Sequence, residues 1–363
     1  MPALPQLKEK NRAQISHEML HNVGQAESFP SLVTITALER CNYRCVMCNQ
    51  AHKSSAQISA AALEQIGRAL PYADNVCITG GEPFLYDHID HFFHLCHQSQ
   101  CSPIVQTNGS LLLERQRRML LKNGVGIVKI SCDGGRAETY NRIRQGGDFN
   151  ALIKNIRLLT ELKAARMVRR PVLEFNFVAM RSNIEELATL VHLAGGIGVA
   201  AITVFLLRAD TEDMARESLY FFPELADQEF QRAVAAGDRH GVAVRIPPLF
   251  AEKPVFAQSA GQTHRCIVPW QALTVNVDGS AAICCGGAGL AGNLNTDSFE
   301  EVWNHPLRRK VRETVNTENE LPCCRNCRQG RPVVDQVAMH IPDPELARMT
   351  KAHFASLVGS PQA

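Results

Sequence analysis

Ser31-Leu-Val-Thr-Ile-Thr36 leads, four residues later, into Cys41-Asn-Tyr-Arg-Cys45-Val-Met-Cys48, and these two segments decide how the chain is read. The first is β-branched and apolar, the composition of a strand buried in a sheet. The second puts three thiols within eight residues, just past the end of that strand. In a parallel α/β sheet, ligands and active sites collect at that end. Thiolates are the usual protein ligands of iron–sulfur clusters, and four normally hold a [4Fe–4S] cube, so three leave one iron open to an external chelator. A zinc knuckle would need a fourth ligand close by, and no neighbouring Cys or His fits.

Outward from this point the pattern repeats. NVCIT (75–79), PIVQT (103–107), GIVKIS (126–131), VLEFNFVAM (172–180) and AITVFLL (201–207) read as strands. Helical segments lie between them, among them SAAALEQIGRALPYA, LLERQRRMLLKNG, FNALIKNIRLLTELKAAR and NIEELATLVHLAGG. Strands alternating with helices argue for a parallel sheet with crossover helices. Six such units lie between residues 31 and 207, fewer than the eight of a closed (β/α) barrel. Around residue 245 the proline-rich RIPPLFAEKPVF reads as a connector to a cysteine-rich region at 266–327, whose main helical stretch is SFEEVWNHPLRRKVRETV. PDPELARMTKAHFASLV reads as a terminal helix.

Composition narrows the functional classes. The 363 residues are 45 % apolar and 20 % charged, enough for a large core, and the net charge is only +2. That is no electrostatic footprint for nucleic acid or an anionic membrane. No run approaches the ~18 apolar residues of a membrane span, and the first residues lack the apolar core of a secretory signal. A cytoplasmic location is expected. There are 13 cysteines. An odd count excludes complete internal pairing, and in a reducing compartment clustered cysteines point to metal or catalysis.

The C-x₃-C-x₂-C spacing after a first strand resembles the signature of the radical S-adenosylmethionine superfamily. The resemblance implies a partial (β/α)₆ barrel. It also implies a cluster on Cys41, Cys45 and Cys48 whose open iron is chelated by the cofactor's amino and carboxylate groups, with one-electron cleavage giving a 5′-deoxyadenosyl radical. Gly80-Gly81-Glu82-Pro83 looks like the family's GGEP motif, which contacts the cofactor's amino group; glycine there lets backbone approach closely. Ser131-Cys-Asp133-Gly134 is similar to the family's S-x-D-G and is followed by Arg144 within TYNRIRQGGDF. Ser131, Asp133 and Arg144 thereby become candidates for the cofactor's carboxylate or ribose, since arginine suits a carboxylate. By the same resemblance Asn176 is a ribose-contacting position, Leu206 lies near the adenine, and Asn108, before Gly109, fits the cofactor-binding layout, although Asn-Gly reads equally as a turn.

The second cysteine group opens with Cys266, twelve residues, Gly279, four residues and Cys284, and closes with Cys324 and Cys327. With GNLNTDSFEEVW between them it resembles the SPASM/twitch extension of some radical enzymes. A full SPASM domain carries further cysteines and two auxiliary clusters, whereas no cysteine follows Cys327. Four thiolates match one auxiliary [4Fe–4S] cluster with no open iron. Cys285 and Cys323 are adjacent alternates, and a structural Cys₄ zinc site is the competing reading. Of the other thiols, Cys132, and Cys285 if it is not a ligand, are candidate hydrogen-atom donors to a substrate radical.

Two further signals are set aside. His88, His91, His94 and His97 drift in helical phase and read as a partly solvated helix face. Gly196-Ile-Gly198-Val-Ala-Ala201 follows a helix and opens a strand, the reverse of a dinucleotide fingerprint. The expected organisation is a lead-in at 1–30, a barrel at 31–245, an auxiliary-cluster domain at 246–335 and a tail at 336–363. The expected activity is hydrogen-atom abstraction leading to oxidation or epimerisation of a small natural-product or carbohydrate-type molecule, because some 30 N-terminal residues are too few for a peptide-recognition domain. Modification of a ribosomal peptide is the alternative, and a structural zinc protein the remote one. A flavodoxin or ferredoxin is the expected electron donor.

Overall fold

Alternation of β-branched and polar residues makes Leu32–Thr36 (β1) a strand with Val33 and Ile35 buried, and it forms the middle of a ten-stranded sheet. The computed structural model describes residues 3–48, 54–251, 266–284, 288–325, 341 and 343–358. In chain order the remaining strands are Arg44–Cys45 (β2), Asn75–Thr79 (β3), Ser102–Thr107 (β4), Ile127–Ser131 (β5), Arg144–Gln145 (β6), Val172–Ala179 (β7), Ala201–Leu206 (β8), Ala243–Arg245 (β9), Ala272–Val275 (β10), Ser280–Ala282 (β11) and Leu290–Asn293 (β12). The large sheet runs β12-β11-β10-β1-β3-β4-β5-β7-β8-β9, and β2 pairs with β6 separately.

The six strand–helix units legible in the sequence are β1, β3, β4, β5, β7 and β8, all parallel. Two further parallel strands flank them. β9 adds three residues beside β8, and β10 lies against β1 with Leu32 opposite Ala272 and Ile35 opposite Val275. The cysteine-rich region therefore continues the barrel sheet, through antiparallel β11 and β12, rather than standing apart. Four residues far along the chain, Ala272–Val275, carry no mark of their partner, so this junction is invisible in the sequence.

The N-terminal helix, Leu4–Leu20, is polar overall but has one buried edge. Glu18 on that edge accepts the backbone amides of Glu27 and Ser28 at 2.8 and 2.9 Å. The chain that follows is stitched to the C-terminal region. The Trp270 indole donates to Val23 O at 2.9 Å and the Trp303 indole to Ser28 O at 2.6 Å. One apolar core accordingly runs from Ile15 through the barrel to Val315. The histidine run lies on the helix Ile89–Gln98, with His94 and His97 exposed.

Register sets what the carboxyl edge of the sheet presents. Thr36 stands opposite Thr79, Ser131 opposite Asn176, and Asn176 opposite Thr203. A polar row thus tops an apolar sheet on the side where the Cys41–Cys48 loop leaves β1.

Candidate active site

Past Thr36 the backbone does not leave the sheet at once. Ala37 N donates to Thr79 O at 2.8 Å, Gly81 N to Leu38 O at 2.7 Å and Glu82 N to Arg40 O at 3.0 Å. The loop carrying Cys41 is thus zipped to the Gly80–Pro83 segment. Gly80 has φ +138°, and a Cβ on Gly81 would collide with the Glu39 and Arg40 carbonyls. Only glycine lets these two backbones lie so close. The Cys45 end is held by the β2–β6 ladder, Cys45 opposite Arg144, and the Cys48 amide turns back to Cys45 O at 3.1 Å.

Donors surround the first two sulfurs. Cys41 Sγ accepts from the Tyr43 amide at 3.4 Å and from Asn108 Nδ2 at 3.9 Å, and Cys45 Sγ from Arg144 Nη1 at 3.7 Å. Burial raises the Cys45 thiol and the Arg144 cation works against that. Among the described residues no three His, Cys, Asp or Glu side chains stand close enough to share one metal ion. Thiolates on a four-iron cube each sit on a different iron and need no such convergence. Donors aimed at these sulfurs suit thiolate ligands, and this donor set fits a cluster.

Arg144 is buried and its fork is occupied. Nε and Nη2 both reach Asp133 Oδ2 at 2.6 Å, while Asp133 Oδ1 accepts the Val178 amide at 2.7 Å. Burial alone would lower the guanidinium; Asp133, and then Cys45, hold it well above its usual range. Asp133 is fully buried with both oxygens engaged, so the structure places it behind Arg144. Glu82, also fully buried, accepts Thr107 Oγ1 at 2.7 Å, the Asn108 amide at 2.8 Å and the Phe84 amide at 3.3 Å. Burial raises its carboxyl to about 7 despite those donors. Pro83 opens a short 3₁₀ turn beneath it.

Asn176 is 6 % exposed and its Oδ1 has no hydrogen-bond partner among the described residues. A buried unpaired acceptor carries a desolvation cost, and a ligand hydroxyl or amine would relieve it. This orphan sits next to half-buried Ser131 in register, and Leu206 ends the neighbouring strand opposite Ala179. A cavity of about 720 Å³ opens beside the cysteine loop, lined by Cys45, Met47, Cys48, Met180, Leu207 and Met214, with Arg142 and Asp213 among its polar walls.

Cys132 does not line this cavity. It is fully buried, its thiol lies 3.6 Å from Gly134 O, and burial pushes it up to about 12.

In the second group Cys266, Cys284 and Cys323 lie near enough to Cys324 to act on it electrostatically, though not close enough to share one metal ion. Burial, followed by the neighbouring Cys323, Cys284 and Cys266, pushes the Cys324 thiol up to about 12. Thiolates at these positions would repel one another, and a cationic iron core would relieve that. Cys285 and Cys327, the other two positions of this group, lie outside the described residues. Behind Cys284, Arg308 and Arg312 are both fully buried, their guanidinium carbons 4.8 and 4.5 Å from the Trp303 ring centre. Burial lowers Arg308 to about 10, against Cys284, and Arg312 to about 9, with Arg308 adding to that and Glu18 opposing it.

Residues 35–194 match the radical SAM superfamily, and residues 266–328 match the SPASM iron–sulfur cluster-binding domain. The chain belongs to the radical S-adenosylmethionine superfamily, in its SPASM-containing subgroup. This radical enzyme is 25 % identical over 325 residues to an AdoMet-dependent heme synthase of Methanosarcina barkeri, covering 81 % of this chain and 88 % of the relative. It is 29 % identical over 174 residues to a GTP 3′,8-cyclase of Desulforamulus reducens, covering 46 % of this chain and 52 % of that protein. The fold is shared with Streptococcus suis SuiB bound to S-adenosylmethionine (TM-score 0.63, 16 % identity, 84 % of this chain and 72 % of that one). It is shared too with AdoMet-bound anSMEcpe (TM-score 0.57, 18 % identity, 90 % of this chain and 95 % of that one). The radical enzyme's cofactors are S-adenosylmethionine, the [4Fe–4S] cluster that binds it and auxiliary iron–sulfur chemistry in the SPASM region, and the zinc readings fall away.

Sequence reasoning about this radical enzyme missed the methionine-lined cavity, whose lining comes from four separate segments, within 45–48, 142–145, 180–182 and 207–217. It also missed the two buried arginines, which sit in a stretch that reads as an ordinary basic helix. A signal was there for Arg308 and Arg312: both lie at apolar-face spacing with Val311.

Proposed function

We propose that this radical enzyme oxidises a small organic substrate by removing a hydrogen atom from carbon, and that its auxiliary cluster accepts the electron left behind. The observation that carries this is the cavity of about 720 Å³ beside Cys45 and Cys48, within the range of about 300–1,000 Å³ usual for small-ligand sites. When bound, the first cluster and S-adenosylmethionine supply a 5′-deoxyadenosyl radical. Cys41, Cys45 and Cys48 would hold that cluster, with Asn108 and Arg144 steadying the Cys41 and Cys45 sulfurs. Gly80, Gly81, Glu82 and Pro83 would frame the cofactor's amino end, Ser131 and Asn176 its ribose, and Leu206 its adenine. Asp133 would act through Arg144. Met47, Met180, Leu207 and Met214 would shield the reacting carbon from water, and the Asp213 carboxylate would take the proton released as the substrate radical is oxidised.

Cys266, Cys284, Cys324 and Cys327 would hold the auxiliary cluster, dividing the chain functionally into a radical part at 31–245 and an electron-accepting part at 246–335, with the lead-in at 1–30 and the tail at 336–363. A flavodoxin or ferredoxin would supply reducing electrons. No helix among the described residues is long and apolar enough to cross a membrane, which supports a cytoplasmic setting. Epimerisation would require a hydrogen donor in the cavity. The buried Cys132 is not offered for that role, and Cys285 remains the candidate. Peptide modification is the second reading, since solved structures of SuiB and anSMEcpe are described with peptides bound.

The test is iron content after anaerobic reconstitution. Wild type should hold about eight irons and the Cys41/Cys45/Cys48→Ala triple variant about four. Equal iron in both proteins would sink the assignment of the first site. Consumption of one S-adenosylmethionine per oxidised small molecule, against none with peptides, would separate the two substrate classes.

A further inference from the structure

Arg308 and Arg312 lie four residues apart on the helix Pro306–Thr314, both fully buried. Among the described residues, every hydrogen-bond acceptor they meet is neutral. Arg308 donates from Nη1 to Ala272 O at 3.2 Å and Ile283 O at 3.4 Å, and from Nη2 to Ala282 O at 2.8 Å. Arg312 donates to Pro269 O at 3.0 Å, Gly24 O at 3.1 Å and Asn304 Oδ1 at 2.9 Å. Arg308 Nε and Arg312 Nη2 are buried with no hydrogen-bond partner among the described residues. Buried charges are ordinarily paired with an opposite charge or a metal centre. Glu18 offsets part of the Arg312 charge, but among the described residues the one acidic group that bears on Arg308 is Cys284; a buried cation so placed, with a donor to spare, implies a negative charge that belongs beside it. Arg308 grips Ile283 O, the carbonyl immediately before Cys284.

We propose that Arg308 is the counter-charge of the auxiliary iron–sulfur cluster, raising its reduction potential so that it accepts an electron, with Arg312 adding a weaker, longer-range share. The inference rests on Cys284 being a ligand of that cluster. A cluster held by thiolates becomes one unit more negative on reduction. A fixed cation beside it favours that form, because net charge and hydrogen bonds to sulfur set the potential. Arg308 has the charge and one unused N–H; a merely structural arginine needs neither.

The experiment is redox titration of the reconstituted holoprotein followed by electron paramagnetic resonance. Added S-adenosylmethionine perturbs the open-iron cluster and so marks which signal is auxiliary. Arg308→Gln, at full iron content, should lower the auxiliary midpoint so that the reduced-to-oxidised ratio at a fixed potential falls at least tenfold, about 59 mV for one electron. Arg308→Lys should restore more than half of that shift, and Arg312→Gln should give a smaller one. A wild-type midpoint in fully loaded Arg308→Gln overturns the proposal. Should Arg308→Gln not fold, wild type labelled with ¹⁵N-arginine decides instead: a ¹⁵N coupling on the auxiliary signal supports the proposal and its absence overturns it. Retention of the auxiliary cluster in a Cys284→Ala/Cys285→Ala variant would overturn the ligand assignment, a failure distinct from an unshifted midpoint.

Discussion

Asp133→Asn isolates what the buried pair behind the cluster loop contributes. The substitution keeps an oxygen for the Val178 amide, which lies 2.7 Å from Oδ1, and replaces Oδ2, the charged acceptor of Arg144 Nε and Nη2, by a neutral amide donor. The guanidinium remains, its side chain 11 % exposed, with Cys45 Sγ at 3.7 Å as its other neighbour. Removing one member of a buried pair costs about 3–5 kcal/mol, because the survivor keeps its desolvation penalty without its partner. The residual exposure and the nearby sulfur place the expected loss at the lower end, about 3 kcal/mol, or more than a hundredfold in the unfolding equilibrium. Removing both charges is far cheaper, so Asp133→Asn/Arg144→Met should recover at least about 1.5 kcal/mol relative to the sum of the single variants. The assay is urea unfolding of the four cluster-free proteins at pH 8. A single-variant loss below about 1 kcal/mol, or strict additivity in the cycle, refutes the argument that the pair is a coupled, charged unit.

Three other outcomes are expected. Gly81→Ala drives a Cβ into the Glu39 and Arg40 carbonyls, so the protein should lose the Cys41–Cys48 cluster and keep the auxiliary one, seen as a fall from about eight irons to about four. Glu82, raised from 4.5 to about 7 by burial, binds a proton more tightly folded than unfolded. Stability of the cluster-free protein should therefore fall by about 2–4 kcal/mol as pH rises from 4.5 to 7, and Glu82→Gln should flatten that slope in urea titrations. Trp303→Ala removes a side chain 2 % exposed that holds Ser28 O and stacks on two guanidiniums; a loss of about 3–5 kcal/mol, with faster proteolysis at residues 21–30, is the expected result.

Much of the fold was legible because its signals are local. Each of the six strand–helix units carries its own periodicity, and the three cysteines after β1 are adjacent in the chain, so their chemistry can be read from spacing. Gly80 and Gly81 were legible as positions where backbone comes close, although what they approach, the Cys41 loop, appears only in three dimensions. The joining of Ala272–Val275 to β1, the stitching of residues 22–29 to Trp270 and Trp303, and the cavity walled by Met47, Met180 and Met214 all depend on segments distant in sequence. Neither periodicity nor spacing records such pairings.

Arg144 shows the division most clearly. Its residue type and motif mark it as a carboxylate binder, and it does bind one, but the carboxylate is the protein's own Asp133. The sequence by itself determined the sheet class and the two thiol groups, because those follow from local residue patterns, and the radical chemistry entered through the family resemblance that these motifs carry. Tertiary structure alone decided which polar groups are already satisfied and which, like Asn176 Oδ1 and Arg308 Nε, are left over, because satisfaction of a buried group depends on neighbours that only folding supplies.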